Sequence, residues 1–316
     1  MSATKPNSLL TVPTGLLQVP AVVKNTIKPD SPEIKLSLVI PTFKESKNIP
    51  KIVQRLTQLL DAQIPDAYEL IVVDDNSPDL TWETAQNMTP EYPQLQVMRR
   101  EKERGLSTAV IRGWQVAKGE ILGVIDADLQ HPPETLLKLL TKMEQGADLA
   151  VASRHFEEGG VSEWNIMRRL LSRGAQVLGL IILPGVVGRV SDPMSGYFMV
   201  RRKAIAEKIL RPVGYKILIE VLGRGSIHWV GEVGYIFNER IEGESKVTWK
   251  QYIEYLHHLL NLRLARWPSR FICFGTVGLI AALEVRNRKS EVFSMIIFGN
   301  KISISPSRNR VRRPPL

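Results

Sequence analysis

Apolar and polar positions alternate between two regimes along the first half of the chain. LSLVIP (36–41), ELIVVDD (69–75), LQVMRR (95–100), EILGVID (120–126) and DLAVASR (148–154) are short, nearly continuous runs rich in Val, Ile and Leu. NIPKIVQRLTQLLD (48–61), LTWETAQNM (80–88), LSTAVIRGWQVAKG (106–119) and PPETLLKLLTKMEQG (132–146) lie between them, with apolar residues spaced three and four apart. The first set predicts strands buried on both faces, and the second predicts helices with one apolar stripe. Gly119 is expected to end the third helix as a C-terminal glycine, and Pro132 and Pro133 to open the first turn of the fourth. Strict strand–helix alternation predicts an α/β domain with a mostly parallel sheet covered on both faces. In such sheets, ligands bind at the carboxyl ends of the strands.

The second half is less regular. SGYFMVRR and IHWVGEVGYIF read as strands, and residues 247–267 read as an amphipathic helix. Residues 1–33, rich in Pro, Ser, Thr and Lys, read as a mobile leader with no signal-peptide pattern. Residues 163–188 set arginines beside a Leu/Ile/Val run; this fits either a segment lying in a bilayer interface or a core helix with surface arginines. The apolar run 271–283 is too short to span a bilayer alone.

Charge sharpens this picture. The net charge is +10 over 316 residues, and residues 284–316 supply six of those charges, so the basic character is mostly a property of the tail. A nucleic-acid partner is not expected, because the basic tail accounts for the charge while the strand ends are acidic. The single cysteine, Cys273, excludes an internal disulfide.

Candidate chemistry lies at those strand ends. The first strand runs into PTFKES without glycines, which excludes a dinucleotide fingerprint, and a Walker loop is absent. Glu45, Asp74, Asp75, Asp126 and Asp128 all fall where strands one, two and four end. Carboxylates gathered on one rim call for a cation or hydroxyl-rich ligand, and Asp126-Ala-Asp128 suits a hard divalent ion shared with substrate phosphates. A solitary Asp-x-Asp is more often a pair of turn aspartates; the accompanying acidic strand ends favour the metal reading. Arg154, Arg168, Arg169, Arg240 and Lys246 are candidate phosphate clamps. Arg173, Arg201 and Arg202 read as solvated surface charge, and His131 as structural rather than a metal ligand.

PTFKES, VVDDNSPDLT, DADLQHPPE, ASR, SDPMSGYFMVRR and ERIEGESK together resemble the inverting family-2 glycosyltransferases of GT-A fold, and more narrowly the polyprenyl- (dolichyl-) phosphate mannose synthases. The resemblance covers roughly residues 34–265. It implies a membrane-associated enzyme at the cytoplasmic face that moves mannose from GDP-mannose to a polyprenyl (dolichyl) phosphate with inversion, using Mg²⁺ or Mn²⁺. It further implies that Pro41, Glu45 and Asp75 hold the nucleoside, and that Arg240, Ser245 and Lys246 contact the donor phosphates. Asp126, Asp128 and Gln130 would bind the metal; Arg154, Arg168 and Ser172 would hold the acceptor phosphate; Asp192 sits where the family has an active-site acid. Asp128, Asp192 and Arg154 are the catalytic expectations. Phe43-Lys44 departs from the Tyr-Asn common in the family. The alternatives are a UDP-sugar-dependent glucosyl- or N-acetylhexosaminyltransferase acting on the same lipid, and an inactive membrane-associated partner subunit. The expected organisation is a leader (1–33), a catalytic domain (34–267), an incomplete membrane-helix-like segment (268–283) and a basic disordered tail (284–316). That tail is expected to mark a membrane domain lost by truncation or frame shift, with a polybasic anchor as the competing reading.

Overall fold

The computed structural model describes residues 8–21, 33–156, 160–161, 174, 176–238 and 249–266. The expected segments after residue 267 lie outside the described residues.

The predicted alternation appears in the expected order: β1 (Leu36–Thr42), α1 (Ile49–Gln63), β2 (Tyr68–Asp74), α2 (Thr81–Met88), β3 (Leu95–Arg99), α3 (Leu106–Val116), β4 (Ile121–Val124), α4 (Thr135–Glu144) and β5 (Leu149–Ser153). A two-residue strand β6 (Gly160–Val161) follows, then β7 (Phe198–Arg201), α5 (Ile217–Arg224), β8 (Val230–Gly234), β9 (Ile236–Phe237) and α6 (Trp249–Arg266). Seven strands form one sheet in the order β3-β2-β1-β4-β7-β5-β8. Its pairings are parallel except around β7, which runs antiparallel between β4 and β5.

Alternate residues of each strand face opposite layers. Leu36, Leu38 and Ile40 of β1 join Leu70 and Val72 of β2 under α1, α2 and α4. Val39, Ile71, Val73, Leu122, Val124 and Phe198 face the other layer, with Trp114 of α3 and Ile217, Leu218 and Val221 of α5. At Gly113 a Cβ would stand 2.7 Å from a Val39 methyl, so the absence of a side chain lets α3 close on β1.

Three expectations need correction. Helix α3 stops at Val116 with Ala117 extended, so Gly119 is not its cap; Gly119 instead passes so close to β1 that a Cβ would lie 2.7 Å from the Ser37 nitrogen. Arg201 and Arg202 are not solvated surface charges. They follow one another at the end of β7 and point to opposite faces. Arg202 donates to the carbonyls of Ala117 and Gly119 behind α3, and Arg201 to those of Met143 and Ala147 behind α4. A guanidinium at each helix C-terminus satisfies carbonyls that have no partner within the helix. Finally, residues 8–21 of the expected mobile leader lie against the domain: Leu10 bridges Met98 of the edge strand β3, and Val19 is fully buried.

Candidate active site

The carboxyl ends of β1, β2 and β4 supply the site, and each is followed by residues in the left-handed region: Lys44 (φ 60°), Asn76 (φ 54°) and Leu129 (φ 59°). Non-glycine residues avoid that region unless their surroundings hold them there, and such strain gathers at functional sites.

After β4, Ile125–Gln130 turns instead of extending. Asp126 is partly exposed, and a Cβ on Gly196 would lie 3.2 Å from its Oδ2. Asp128 is buried, and its Oδ1 accepts the backbone N–H of Gln130 at 3.1 Å. Gln130 is tied to the β9 exit: its Nε2 donates to the Asn238 carbonyl, and its own carbonyl accepts the Asn238 N–H.

His131 is buried in an aromatic nest, 5.3 Å from the rings of Tyr197 and Phe237 and 5.6 Å from that of Tyr235. Its Nδ1 stands 3.8 Å from Asp126 Oδ2, too far for a hydrogen bond. Burial pushes its pKa down to about 4, so the ring is a neutral wall rather than a cation. The Phe237 ring that flanks His131 is also the one beside the Arg154 guanidinium, so the nest joins the Asp126 turn to Arg154.

Arg154, just beyond β5, meets Asp192 in a bidentate pair: Nε to Oδ2 at 2.7 Å and Nη2 to Oδ1 at 2.9 Å. The Arg154 guanidinium also stands 5.5 Å from the Phe237 ring. Burial opposes ionisation of Asp192, but the hydrogen bonds and charge of Arg154 outweigh it and hold this carboxyl below its usual value. The Asp192 loop is pinned in turn, since Ser191 donates backbone N–H and hydroxyl to Glu232 at 2.8 and 2.7 Å, and its Oγ lies 2.6 Å from that of Ser153.

On the other flank, Asp75 Oδ1 takes two N–H groups of the buried Arg100, while Oδ2 takes the Gly105 N–H at 2.7 Å. Burial pushes the Asp75 carboxyl up, and Arg100 with the Gly105 N–H only partly restores it. Pro41 lies inside β1, and Glu45 opens the α1 turn with Oε2 accepting Asn48 Nδ2 at 2.8 Å. Asp74 is not on the rim as expected. It is fully buried and accepts Ser77 N–H, Ser77 Oγ and Thr42 Oγ1, shaping the turn after β2.

The structure thus brings Asp126, Asp128, Gln130, Arg154 and Asp192 together around His131, with Asp75, Pro41 and Glu45 on the neighbouring strand ends. Arg168, Ser172, Arg240, Ser245 and Lys246 lie outside the described residues. Sequence reasoning missed Arg100 and Lys216. Arg100 had one signal, a basic residue ending an apolar strand beside an acidic one; Lys216, whose Nζ donates to the Met194 carbonyl at 3.0 Å, had none.

The residues at the turn fit a hard divalent cation. Two carboxylates and an amide oxygen are oxygen donors that suit Mg²⁺ or Mn²⁺ drawing further ligands from water and substrate phosphate. Among the described residues no group of three or more His, Cys, Asp and Glu could hold a metal.

Comparison with known proteins identifies the family. Residues 37–208 match the family described as Glycosyl transferase family 2. The dolichol-phosphate mannosyltransferase of Pyrococcus furiosus is 42% identical over 253 residues, covering 79% of this chain and 70% of that protein. The Saccharomyces cerevisiae protein of the same name is 33% identical over 257 residues, covering 77% and 94%. Among solved structures, mannosyl-3-phosphoglycerate synthase from Rubrobacter xylanophilus matches with a TM-score of 0.56 and 20% identity over 77% of this chain and 78% of that one. Glucosyl-3-phosphoglycerate synthase from Mycobacterium tuberculosis in complex with Mn²⁺, UDP and glucosyl-3-phosphoglycerate matches at TM-score 0.54 and 20% identity, covering 75% and 82%. The structural matches show the fold: a GT-A-like α/β domain.

Proposed function

The chain belongs to glycosyl transferase family 2, in its dolichol-phosphate mannosyltransferase group, and on that premise we propose that it moves mannose from GDP-mannose to the phosphate of a dolichyl-type lipid at the cytoplasmic face of a membrane. The observation that carries this reading is the pairing, around one aromatic nest, of an Asp126–Asp128 turn with a guanidinium clamped by Asp192. A diphosphate leaving group needs the first, and a phosphate acceptor the second.

In this reading, Asp75, Glu45 and Pro41 hold the nucleoside, while Arg240, Ser245 and Lys246 contact the donor phosphates. Asp126, Asp128 and Gln130 would hold Mg²⁺ or Mn²⁺, which supplies Lewis-acid stabilisation of the charge on the departing diphosphate. Arg154, fixed by Asp192, shares with Arg168 and Ser172 the role of holding the acceptor phosphate in line with the sugar. A phosphate oxygen forms the new bond to C1 as the C1–O bond to GDP breaks, and the electron pair leaves with GDP. Single displacement inverts C1. A phosphate monoester is already ionised near neutral pH, because its second pKa is about 6, so no base is required. Orientation by Arg154 then supplies much of the rate.

A membrane surface suits the lipid acceptor. Val177, Leu178, Leu180 and Ile181 are exposed on the helical residues 176–182, the described end of the expected interfacial segment. No helix of the described residues is long and apolar enough to cross a membrane.

The test is transfer of radiolabelled mannose from GDP-mannose to a dolichyl-type phosphate in detergent with Mg²⁺, comparing the full chain with Asp128→Ala. Activity in the parent, falling by about 10²–10³-fold in the variant, is the expected result. Transfer from UDP-sugars alone would overturn the donor assignment, and no transfer from any of them would overturn the enzyme reading.

A further inference from the structure

Residues 8–21 run across the domain in a defined path. The Leu10 N–H donates to the Val97 carbonyl at the edge of β3. Gln115 of α3 donates to the carbonyls of Leu16 and Gln18, at 2.9 and 3.0 Å. Leu210 and Glu207 donate their N–H groups to Leu17 and Val19, each at 2.8 Å. Val19 is inserted in the core. This strap therefore ties α3 to the edge strand β3 and to residues 207–210.

One of its contacts leads to the site. Arg112 of α3 donates Nη2 to the Gly15 carbonyl at 3.1 Å, and the same guanidinium grips Glu103 through Nη2 to Oε1 at 2.7 Å and Nε to Oε2 at 3.0 Å. Glu103 Oε2 also accepts Arg100 Nη1 at 3.4 Å. Arg100 is fully buried, fixed further by Thr108 Oγ1 and the Gly105 carbonyl, each at 2.9 Å, and it places two N–H groups on Asp75. A continuous chain of charge-assisted hydrogen bonds thus runs strap–Arg112–Glu103–Arg100–Asp75. The Arg112–Glu103 pair is a guanidinium fork that fixes direction as well as distance, Arg100 places two N–H groups on Asp75, and the Arg100–Glu103 contact at 3.4 Å is the longest link of the chain. The loop they stiffen, residues 100–105, joins β3 to α3 at the carboxyl end of the sheet.

We infer that Arg100, Glu103 and Arg112 are positioning residues of the donor-nucleotide pocket, and that the strap formed by residues 8–21 sets the placement of Asp75 through them. The inference rests on the reading of Asp75 as a nucleoside contact. A carboxylate that receives the edge of a base must be held in place before the ligand arrives, since each ångström of misplacement weakens the contact.

The experiment measures GDP affinity by calorimetry, separate KM values for donor and acceptor, and Tm, all on the full chain. Arg112→Gln should weaken GDP binding and raise donor KM by about tenfold, near 1.4 kcal/mol, with kcat and acceptor KM within about twofold. Arg112→Lys should recover part of the affinity, and Val19→Ala should shift it in the same direction by less. Glu103→Gln, at a half-exposed position where misfolding is least expected, repeats the test should Arg112→Gln fail to fold. If these variants lower Tm while GDP binds as tightly as to the parent, the strap only stabilises the fold and the inference is overturned. Asp75→Asn is the control: unchanged GDP affinity there overturns the nucleoside reading itself, a result distinct from failure of the coupling alone.

Discussion

Asp75–Arg100 and Asp192–Arg154 are the same chemical pair used in opposite directions. In the first, the Arg100 side chain is wholly buried and that of Asp75 keeps 10% exposure; in the second, Arg154 keeps 10% and Asp192 only 1%. The partner that retains access is the one able to meet a ligand, and the other is its support. In the proposed assignment, a guanidinium steadies a carboxylate at the donor side, whereas at the acceptor side a carboxylate steadies a guanidinium. The carboxyls are displaced accordingly. Asp192 has all the positive charge it needs and is held low, while Asp75 remains raised by burial despite Arg100. A raised carboxyl still gains from further donors, which is what the N–H edge of a purine offers.

The strongest way to break this comparison is to remove a support. Asp192→Ala leaves the guanidinium of Arg154 in place without its clamp, and loss of one partner of a buried pair typically costs about 3–5 kcal/mol. A loss of that size in the free energy of unfolding, read from urea denaturation curves, is expected. The isosteric Asp192→Asn should fold better yet lower kcat/KM for transfer by about 10²-fold, because the guanidinium is misdirected. If Asp192→Asn keeps full activity, Asp192 does not orient Arg154.

Replacing the working partner should do less. Arg154→Lys keeps the charge but loses the fork. We expect acceptor KM to rise by about tenfold with donor KM unchanged, measured in the same transfer assay. Asp75→Asn should give the mirror result: a GDP affinity weaker by about tenfold, the lower end of what a hydrogen bond to a charged group contributes, with acceptor KM unchanged. Each variant moving the other substrate's constant would dissolve the division into donor and acceptor sides.

Much of this arrangement was legible in the sequence, for identifiable reasons. Strands β1 to β4 are each followed by a helix, and all but the edge strand β3 are buried throughout, so hydrophobic runs and their spacing located β1 to β5 to within a few residues. The strand FMVR was legible too, but its antiparallel place between β4 and β5 was not, because an apolar run carries no direction. The Asp126–Asp128 turn stood out through its spacing. The partner of Arg154 did not stand out as a partner: Asp192 is 38 residues away, and only the fold brings them together. Arg201 and Arg202 looked like surface charge because sequence shows two adjacent arginines and not the two helix ends behind them. The strap was hidden by composition. Pro, Ser and Thr around Leu17 and Val19 read as loose chain, although the buried Val19, the partly buried Leu17 and a row of carbonyls facing α3 are enough to fix it.

The smallest expected effect distinguishes the two pairs by the sign of their pH dependence. A carboxyl held below its unfolded value contributes stability that is present above the ordinary aspartate pKa of about 3.9 and is lost as pH falls through the lower folded value. That is the case for Asp192. A carboxyl raised in the folded state does the reverse: the folded protein binds the proton more readily than the unfolded chain, so its contribution to stability improves as pH falls through the raised value. That is the case for Asp75. Urea midpoints followed from about pH 7 down to about pH 3 should therefore fall less steeply in Asp192→Asn than in the parent, and more steeply in Asp75→Asn. Nucleotide binding sharpens the contrast. GDP that donates to ionised Asp75 lowers its pKa, so affinity should decline as pH falls through the raised value, and Asp75→Asn should abolish that decline. A decline that persists in Asp75→Asn would place the titrating group elsewhere in the pocket, and the two pairs would then differ in exposure but not in the work their carboxyls do.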